Sequence, residues 1–298
     1  SKSSDSWQQA NGNSGSDYFN ADGSSSGQTN YSDGSYSLYT KDGQGNNQTS
    51  LYDASGNLTS DTWQHADGSQ GNDAFNADGS SSGQTTNADG STSTYVTSSP
   101  GNTTTQYFDA SGIETGYSVA TNDGQGDTTW VNYDASGHPT NHTWQNADGS
   151  GGSDTLNPDG SISGQGTNSD GSSYTYVTSS SGNTTVKRFD ASGNEMLYSV
   201  ITNDGQGNTT WVNYDISGAV LDSSWTQANG SNGVTINKAD GSVETKITTV
   251  NADASTYSTD TVTDADGSYQ QTWSKSDGST GTNNYVAATG ETSGSNAT

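Results

Sequence analysis

Dipeptides suited to tight turns recur at every eleventh position over long stretches of this chain, a spacing that we call the short step. The glycines of two such Asp-Gly series are Gly68, Gly79 and Gly90, and then Gly149, Gly160 and Gly171. Asp-Gly is a preferred centre of two-residue type I′ hairpin turns, in which both central residues have positive φ. Two turn residues in each step leave about nine for a strand, a normal strand length. The spacing therefore predicts short strands joined by hairpins.

A longer repeat contains the shorter one, and its step leads from Tyr52 to Tyr133 and on to Tyr214. We call this the long step. The segment Tyr52-Asp53-Ala54-Ser55-Gly56 recurs at 133–137 and, with one change, at 214–218. Other aromatic residues that keep the long step include Trp63, Trp144 and Trp225, then Trp130 and Trp211, and also Phe108 and Phe189.

One long step holds about seven Gly-containing turns. The repeat divides the chain into a partial unit at 1–50, full units at 51–131 and 132–212, and a diverged partial unit at 213–298.

The residues between the turns are strand formers. Segments such as 128–133 and 196–201 are rich in β-branched and aromatic residues, and no segment has the 3.6-residue apolar period of a helix. We predict an all-β, elongated repeat protein of short antiparallel strands. A parallel β-solenoid with its corners at the glycines stays open as the alternative, because repeat length does not exclude it.

Five blocks share an aromatic residue, Asp, two further residues and Gly. They begin at Tyr52, Phe108, Tyr133, Phe189 and Tyr214. These blocks resemble the YD repeats of the RHS family, and the first continues with Asn and Leu as that pattern does. The resemblance implies a strip of β-hairpins in a large secreted or surface-displayed bacterial protein. Near-absence of arginine departs from the family pattern, and an aromatic residue before an Asp-x-x-Gly turn also arises wherever a strand enters a tight turn.

Charge and composition exclude several functions. The formal net charge is −26, so the field of the protein repels nucleic-acid phosphates and anionic lipid surfaces. No apolar run is long enough to insert into a membrane, and the absence of cysteine removes disulfides and thiolate metal sites. With only 25% hydrophobic residues, the chain is expected to have a thin core supplied by tryptophan and tyrosine.

The tryptophans support two interpretations. Trp7, Trp63, Trp144, Trp225 and Trp273 each precede an Asp-Gly or Asn-Gly turn by four residues. A row of such rings could bind polysaccharide by stacking on sugars. The structural interpretation is that the rings pack between adjacent repeats, since Leu and Ile are scarce.

Catalytic and metal-binding signals are weak. His65, His138 and His142 are the only histidines. His65 and His142 fall at non-equivalent points of the repeat, and neither neighbours a recurring Ser or Asp as in a catalytic triad. Residues 264–267 contain a fragment of a calcium loop, but no further ligands follow at the required spacing. We predict no enzyme activity and no cofactor, while weak calcium binding by scattered carboxylates stays open.

These patterns favour a structural or adhesive protein, located outside the cell or at its surface, that self-associates into a stalk, fibre or matrix filament. Two alternatives stay open: a carbohydrate-binding module that uses the tryptophan series, and a scaffold segment of a YD-repeat secreted toxin or adhesin.

Overall fold

The computed structural model describes residues 3–99 and 101–297, which form β-strands joined by turns. The chain divides into two compact units, Ser1–Ala147 (unit 1) and Asp148–Thr298 (unit 2). Each unit is described by itself. The units are defined by contacts and not by repeated sequence, so the four repeat segments stay a prediction.

Unit 1 contains thirteen strands in its described part. They are β1 (Ser3–Gln8), β2 (Ser14–Phe19), β3 (Ser25–Asn30), β4 (Tyr36–Lys41), β5 (Asn47–Tyr52), β6 (Leu58–Gln64), β7 (Gln70–Phe75), β8 (Ser81–Thr86), β9 (Thr92–Thr97), β10 (Thr103–Phe108), β11 (Glu114–Asn122), β12 (Thr128–Asp134) and β13 (Pro139–Gln145).

Unit 2 also contains thirteen strands in its described part. They are β14 (Gly151–Leu156), β15 (Ile162–Thr167), β16 (Ser173–Thr178), β17 (Thr184–Phe189), β18 (Glu195–Asn203), β19 (Thr209–Asp215), β20 (Val220–Thr226), β21 (Asn232–Asn237), β22 (Val243–Val250), β23 (Thr256–Thr263), β24 (Tyr269–Lys275), β25 (Thr280–Val286) and β26 (Glu291–Ala297).

Within each unit the strands form an antiparallel meander in a single layer. Each strand pairs with the strands before and after it in the sequence, as β7 does with β6 and β8. Backbone contacts in the described part of either unit join consecutive strands only. This confirms the all-β fold of short antiparallel strands and excludes the parallel solenoid.

A single layer leaves no interior for a conventional core. No hydrophobic side chain in the described residues is buried, and the buried polar residues are Ser199, Ser231 and Ser242. Both faces of each sheet are therefore in contact with solvent. The side chains that stabilise the sheet do so by covering their cross-strand neighbours, because cross-strand pairs are the unit of sheet stabilisation.

The turns differ from the predicted type. In the turn after β7, the Gly79 N–H donates to the carbonyl of Asn76 at 3.0 Å, and the Asn76 N–H donates to the carbonyl of Ser80 at 2.8 Å. Gly79 has a φ of 85°, whereas Asp78 does not have positive φ. This is a three-residue loop in which a type I turn is followed by a bulged glycine, so the predicted two-residue type I′ turn is wrong.

Aspartate stabilises these turns from two positions. When it precedes the glycine, as Asp78 does, its Oδ1 accepts hydrogen bonds from the N–H and the hydroxyl of Ser80, at 2.9 and 2.7 Å. When it opens the turn, as Asp53 does, its Oδ1 accepts from the N–H groups of Ser55 and Asn57. Both arrangements are side-chain versions of a backbone turn. They explain why the chain uses so many aspartates.

Neighbouring turns on one edge of the sheet are joined to each other. The Asn46 Oδ1 accepts a hydrogen bond from the N–H of Ala66 in the next turn along that edge, at 2.9 Å. In unit 2 the Asn208 Oδ1 accepts from the Ala228 N–H in the same way, at 3.0 Å. We call these contacts inter-turn bonds. They pair turn N–H groups that lie outside the strand ladders.

The five Tyr/Phe-Asp-x-x-Gly blocks coincide with irregular hairpins. The strand register shifts at the aromatic residue of each block, at Tyr52, Phe108, Tyr133, Phe189 and Tyr214. In three of these hairpins a threonine hydroxyl bonds a carbonyl of the preceding strand, as the Thr59 hydroxyl does with Leu51 at 3.1 Å. The blocks therefore mark β-bulges, which bend a strand locally.

One turn lacks the usual glycine and provides a test of the turn assignment. Ala254 has a φ of 64°, and it is the one non-glycine residue with positive φ in the described chain. We expect Ala254→Gly to stabilise the protein by about 0.5–1 kcal/mol, because it removes the strain of a Cβ in the left-handed region. Thermal and urea unfolding will measure this. Gly267→Ala, the reverse change in a neighbouring turn, should destabilise by a similar amount, and equal stabilities would contradict the assignment.

Stability should also fall in acid. Hydrogen bonds from Ser80 lower the pKa of Asp78, and those from Asn57 lower the pKa of Asp53. A carboxyl whose pKa is lower in the folded state contributes stability above its unfolded pKa of about 3.9, and loses it as the pH falls through the folded pKa. We expect the melting temperature, measured in salt that screens the net charge, to drop below about pH 4. Asp78→Asn should show a smaller drop, and a melting temperature independent of pH would contradict the role of the turn carboxylates.

Candidate functional surfaces

The described strands form single-layered sheets, so their side chains are displayed on open faces. The described residues contain no group of three or more His, Cys, Asp or Glu side chains placed to hold a metal ion. They also include no helix with the length and apolar character needed to cross a bilayer. The functional candidates are therefore the two open faces of each sheet.

The tryptophans of unit 1 point to opposite faces. Trp63 pairs with Gly71, whereas Ala74, one short step after Trp63, pairs with Ser60. Ser60 and Trp63 are an odd number of residues apart on one strand, so they lie on opposite faces. Two residues one short step apart therefore lie on opposite faces of the sheet. Equivalent residues that are separated by an odd number of strands likewise lie on opposite faces.

This rule assigns every tryptophan of unit 1. Trp7 and Trp63 are five strands apart, and Trp63 and Trp144 are seven strands apart, so each pair is divided between the two faces. We call these the Trp63 face, which also carries Trp130, and the Trp7 face, which also carries Trp144. A single stripe of all the tryptophans, as the polysaccharide interpretation would need, does not form in unit 1.

In unit 2 two tryptophans share one face. The cross-strand partners run from Trp225 through Gly233, Ile247 and Thr259 to Trp273 in one row. We call this the Trp225 face. Trp211 lies on the opposite side, which we call the Trp211 face. Four strand spacings separate Trp225 from Trp273, which is about 19 Å.

Four of these rings rest on a glycine of the next strand, namely those of Trp7, Trp63, Trp225 and Trp273. A Cβ on Gly71 would lie 2.6 Å from the Trp63 ring, and one on Gly281 would lie 2.5 Å from the Trp273 ring. The absent side chain lets the ring lie against the backbone of its neighbour. Tryptophan therefore covers its own sheet and replaces the second layer that an ordinary sheet would have.

A second motif spans three strands. Tyr95 on β9 crosses Gly83 on β8, and its hydroxyl donates a hydrogen bond of 2.7 Å to Oδ1 of Asp73 on β7. Burial and the neighbouring Asp73 carboxylate raise the pKa of Tyr95 to about 12. Tyr176 makes the same contact with Asp154 across Gly164 in unit 2. We call this arrangement the Asp-Gly-Tyr motif.

The predicted tyrosines of the YD-like blocks are all stacked on a partner. Tyr52 stacks on Tyr36 with ring centroids 4.8 Å apart, and Tyr133 and Tyr214 make the equivalent stacks one and two long steps later, at 4.5 and 4.8 Å. Phe108 and Phe189 occupy the corresponding bulge positions in the other two blocks. The predicted turn glycines all have positive φ; they are Gly68, Gly79, Gly90, Gly149, Gly160 and Gly171.

The histidines do not form a catalytic arrangement. His65 packs beside the Trp63 ring, and its Nδ1 lies 3.3 Å from the Ser69 hydroxyl. His142 packs beside Trp144. His138 contacts the Asp134 carboxylate at 3.3 Å on the exposed surface. Each histidine thus has a separate, local packing environment.

An open groove lies on the Trp211 face. It has a volume of about 580 Å³ and extends over β22–β26. Its floor is made of small side chains such as Thr248, Ser258 and Thr282, and Lys246 and Asp260 lie at one side.

No protein-family model matches the chain, and no curated protein sequence matches it. The resemblance of the five blocks to YD repeats therefore stays a prediction.

The Asp-Gly-Tyr motif is open to a direct test. A Cβ on Gly83 would overlap Asp73 and lie 2.5 Å from the Tyr95 ring. We expect Gly83→Ala to destabilise the protein by about 1–3 kcal/mol through overpacking. Ser82→Ala, on the other face of the same strand, is the matched control and should have little effect in the same urea titration.

Tyr95→Phe keeps the ring and removes the hydroxyl. We expect it to abolish one tyrosine transition near pH 12 in an ultraviolet titration. If Gly83→Ala were as stable as Ser82→Ala, the ring would not lie against the strand as described.

Proposed function

We propose that this chain is a non-catalytic structural or adhesive repeat protein that acts outside the cell or at its surface, in a stalk, fibre or matrix filament. The observation that supports this most is the restriction of backbone contacts between strands to sequence neighbours within the described part of each unit. Such a sheet can gain or lose hairpins without disturbing a shared core, which is the property of repeat proteins that act as spacers.

The use of the side chains supports the same role. Turn aspartates bond to their own turns, tryptophans cover glycines, and tyrosines bond to aspartates two strands away. Most of the chemically distinctive residues are thereby engaged in holding hairpins together. An enzyme would instead concentrate such groups in one protected site.

The acidic surface suits a protein that is hydrated and present at high local concentration. A net charge of −26 keeps copies apart unless a specific contact joins them. Self-association into a filament would then depend on defined contacts, and clumping would be limited.

Polysaccharide binding is better supported in unit 2. Trp225 and Trp273 lie in one row of one face, on β20 and β24. The pairs that share a face in unit 1 lie further apart, Trp63 and Trp130 on β6 and β12, and Trp7 and Trp144 on β1 and β13. If the chain binds a glycan, the Trp225 face is the surface that we expect to do so.

Negative-stain microscopy over a range of concentrations tests the structural role. We expect fibrous particles that lengthen as the concentration rises, because repeat hairpins offer the same pairing at every step. Compact monomeric particles at every concentration would contradict a filament.

A glycan array of the same protein separates the two roles. Loss of a glycan signal in both Trp225→Ala and Trp273→Ala would show polysaccharide binding. Trp63→Ala is the matched control, because it also uncovers a glycine but lies in unit 1.

A further inference from the structure

The Trp211 face of unit 2 carries an apolar pair that the earlier repeats lack. Val234 and Ile236 on β21 are each 39% exposed. The residues one long step earlier are Ser153 and Thr155. Replacing polar residues by Val and Ile on an open face costs solubility and adds nothing to a turn. The substitution therefore places two adjacent apolar side chains on an open face, where a bound partner would cover them.

A cluster of alternating charges, which we call the charge cluster, lies beside the apolar pair. The Lys238 Nζ is 3.0 Å from Glu244, the Lys246 Nζ is 2.9 Å from Glu244, and the Lys246 Nζ is 3.5 Å from Asp260. The charge cluster holds two cations and two anions, in a chain with only seven Lys and Arg residues. One oxygen of Asp260 also accepts no hydrogen bond from the described residues.

The strand register places these residues in two adjacent rows. Ile236 pairs with Glu244 in one row. Val234 pairs with Lys246, and Lys246 with Asp260, in the other. Residues 234 and 236 are two apart on one strand, as are 244 and 246, so all of them face the same side of the sheet.

We propose that the Trp211 face of unit 2 binds a second copy of this chain through a two-fold axis that runs across the strands between these two rows. The axis exchanges the rows. It places Glu244 against Lys246 of the second copy, and Ile236 against Val234 of the second copy. The ammonium group of Lys238 lies beside Glu244. In the dimer it then faces the row of the second copy that holds Asp260. Alternating charges are self-complementary under this operation, which is what an isologous interface requires.

The expected contact is weak. The Trp211 face over β20–β26 spans about 30 Å across the strands and about 20 Å along them. Such a face covers less than the roughly 800 Å² that each partner contributes to a standard stable interface. A reversible dimer is the consequence, and it suits a lateral contact between filaments. The inference rests on the structural role proposed above, since it names a surface through which copies join.

Sedimentation velocity of the full chain over a wide concentration range tests the contact. We expect a reversible monomer-dimer equilibrium whose dissociation constant rises about tenfold or more in Val234→Ser/Ile236→Thr. The double variant uses the residues that the chain itself has one long step earlier. Val96→Thr/Val177→Thr is the matched control. These valines are more exposed, at 63% and 57%, but lie away from the charge cluster. It should dimerise as the unaltered chain does.

Charge reversal gives a second readout. Lys246→Glu and Glu244→Lys should each weaken self-association, because the axis then brings like charges together. An equimolar mixture of the two variants should recover it, since each then faces the opposite charge. Circular dichroism will show that each variant keeps its strand content.

Two results would overturn the proposal. Either a chain that is monomeric at every concentration in sedimentation, or dimerisation that none of these variants changes, would remove the Trp211 face as an interface. Fibrous particles seen by microscopy in either case would leave the structural role intact. Compact particles together with variant-sensitive dimers would remove the filament and keep the interface.

Discussion

Hydrogen bonding between consecutive antiparallel strands is the interaction on which the rest of this structure depends. In an ordinary sheet protein a second layer covers one face, and burial of apolar surface offsets the loss of chain entropy. Here no second layer covers either face within the described part of a unit, so each hairpin must be stabilised by its turn and by the side chains of its immediate neighbours. The scarcity of Leu and Ile follows from this arrangement, because such residues would have nothing to pack against.

The sequence predicts the fold class well because its information is local. Turn dipeptides at a fixed step and strand formers between them are read directly, and the structure confirms short antiparallel strands throughout. The turn type was wrong for a specific reason. Asp-Gly suits both a two-residue turn and the end of a three-residue loop, and the difference lies in one extra residue. The alanine before Asp78 and the serine after Gly79 are the sequence signal of the three-residue loop. That serine donates two hydrogen bonds to the aspartate.

The side-chain surfaces were harder to predict because they depend on counting strands. About seven turns in one long step were visible in the sequence, and an odd number of strands is enough to place Trp63 and Trp144 on opposite faces. The packing of tryptophan on glycine also left a signal in the sequence. Gly71 follows Trp63 at the eighth position, and Gly233 and Gly281 follow their tryptophans at the same spacing. An interface between two copies of the chain leaves no such repeated spacing in the sequence.

The inter-turn bonds have a consequence for how the sheet comes apart. Asn46 and Ala66 belong to turns separated by two strands, so their hydrogen bond reaches past the adjacent hairpin. In a simple linear array, each unit is coupled only to its nearest neighbours, and the ends peel away one unit at a time. Bonds of this reach add second-neighbour coupling. Losing one strand from an end then also removes a bond held by the hairpin beyond it, so unfolding should proceed in steps of at least two strands and not strand by strand.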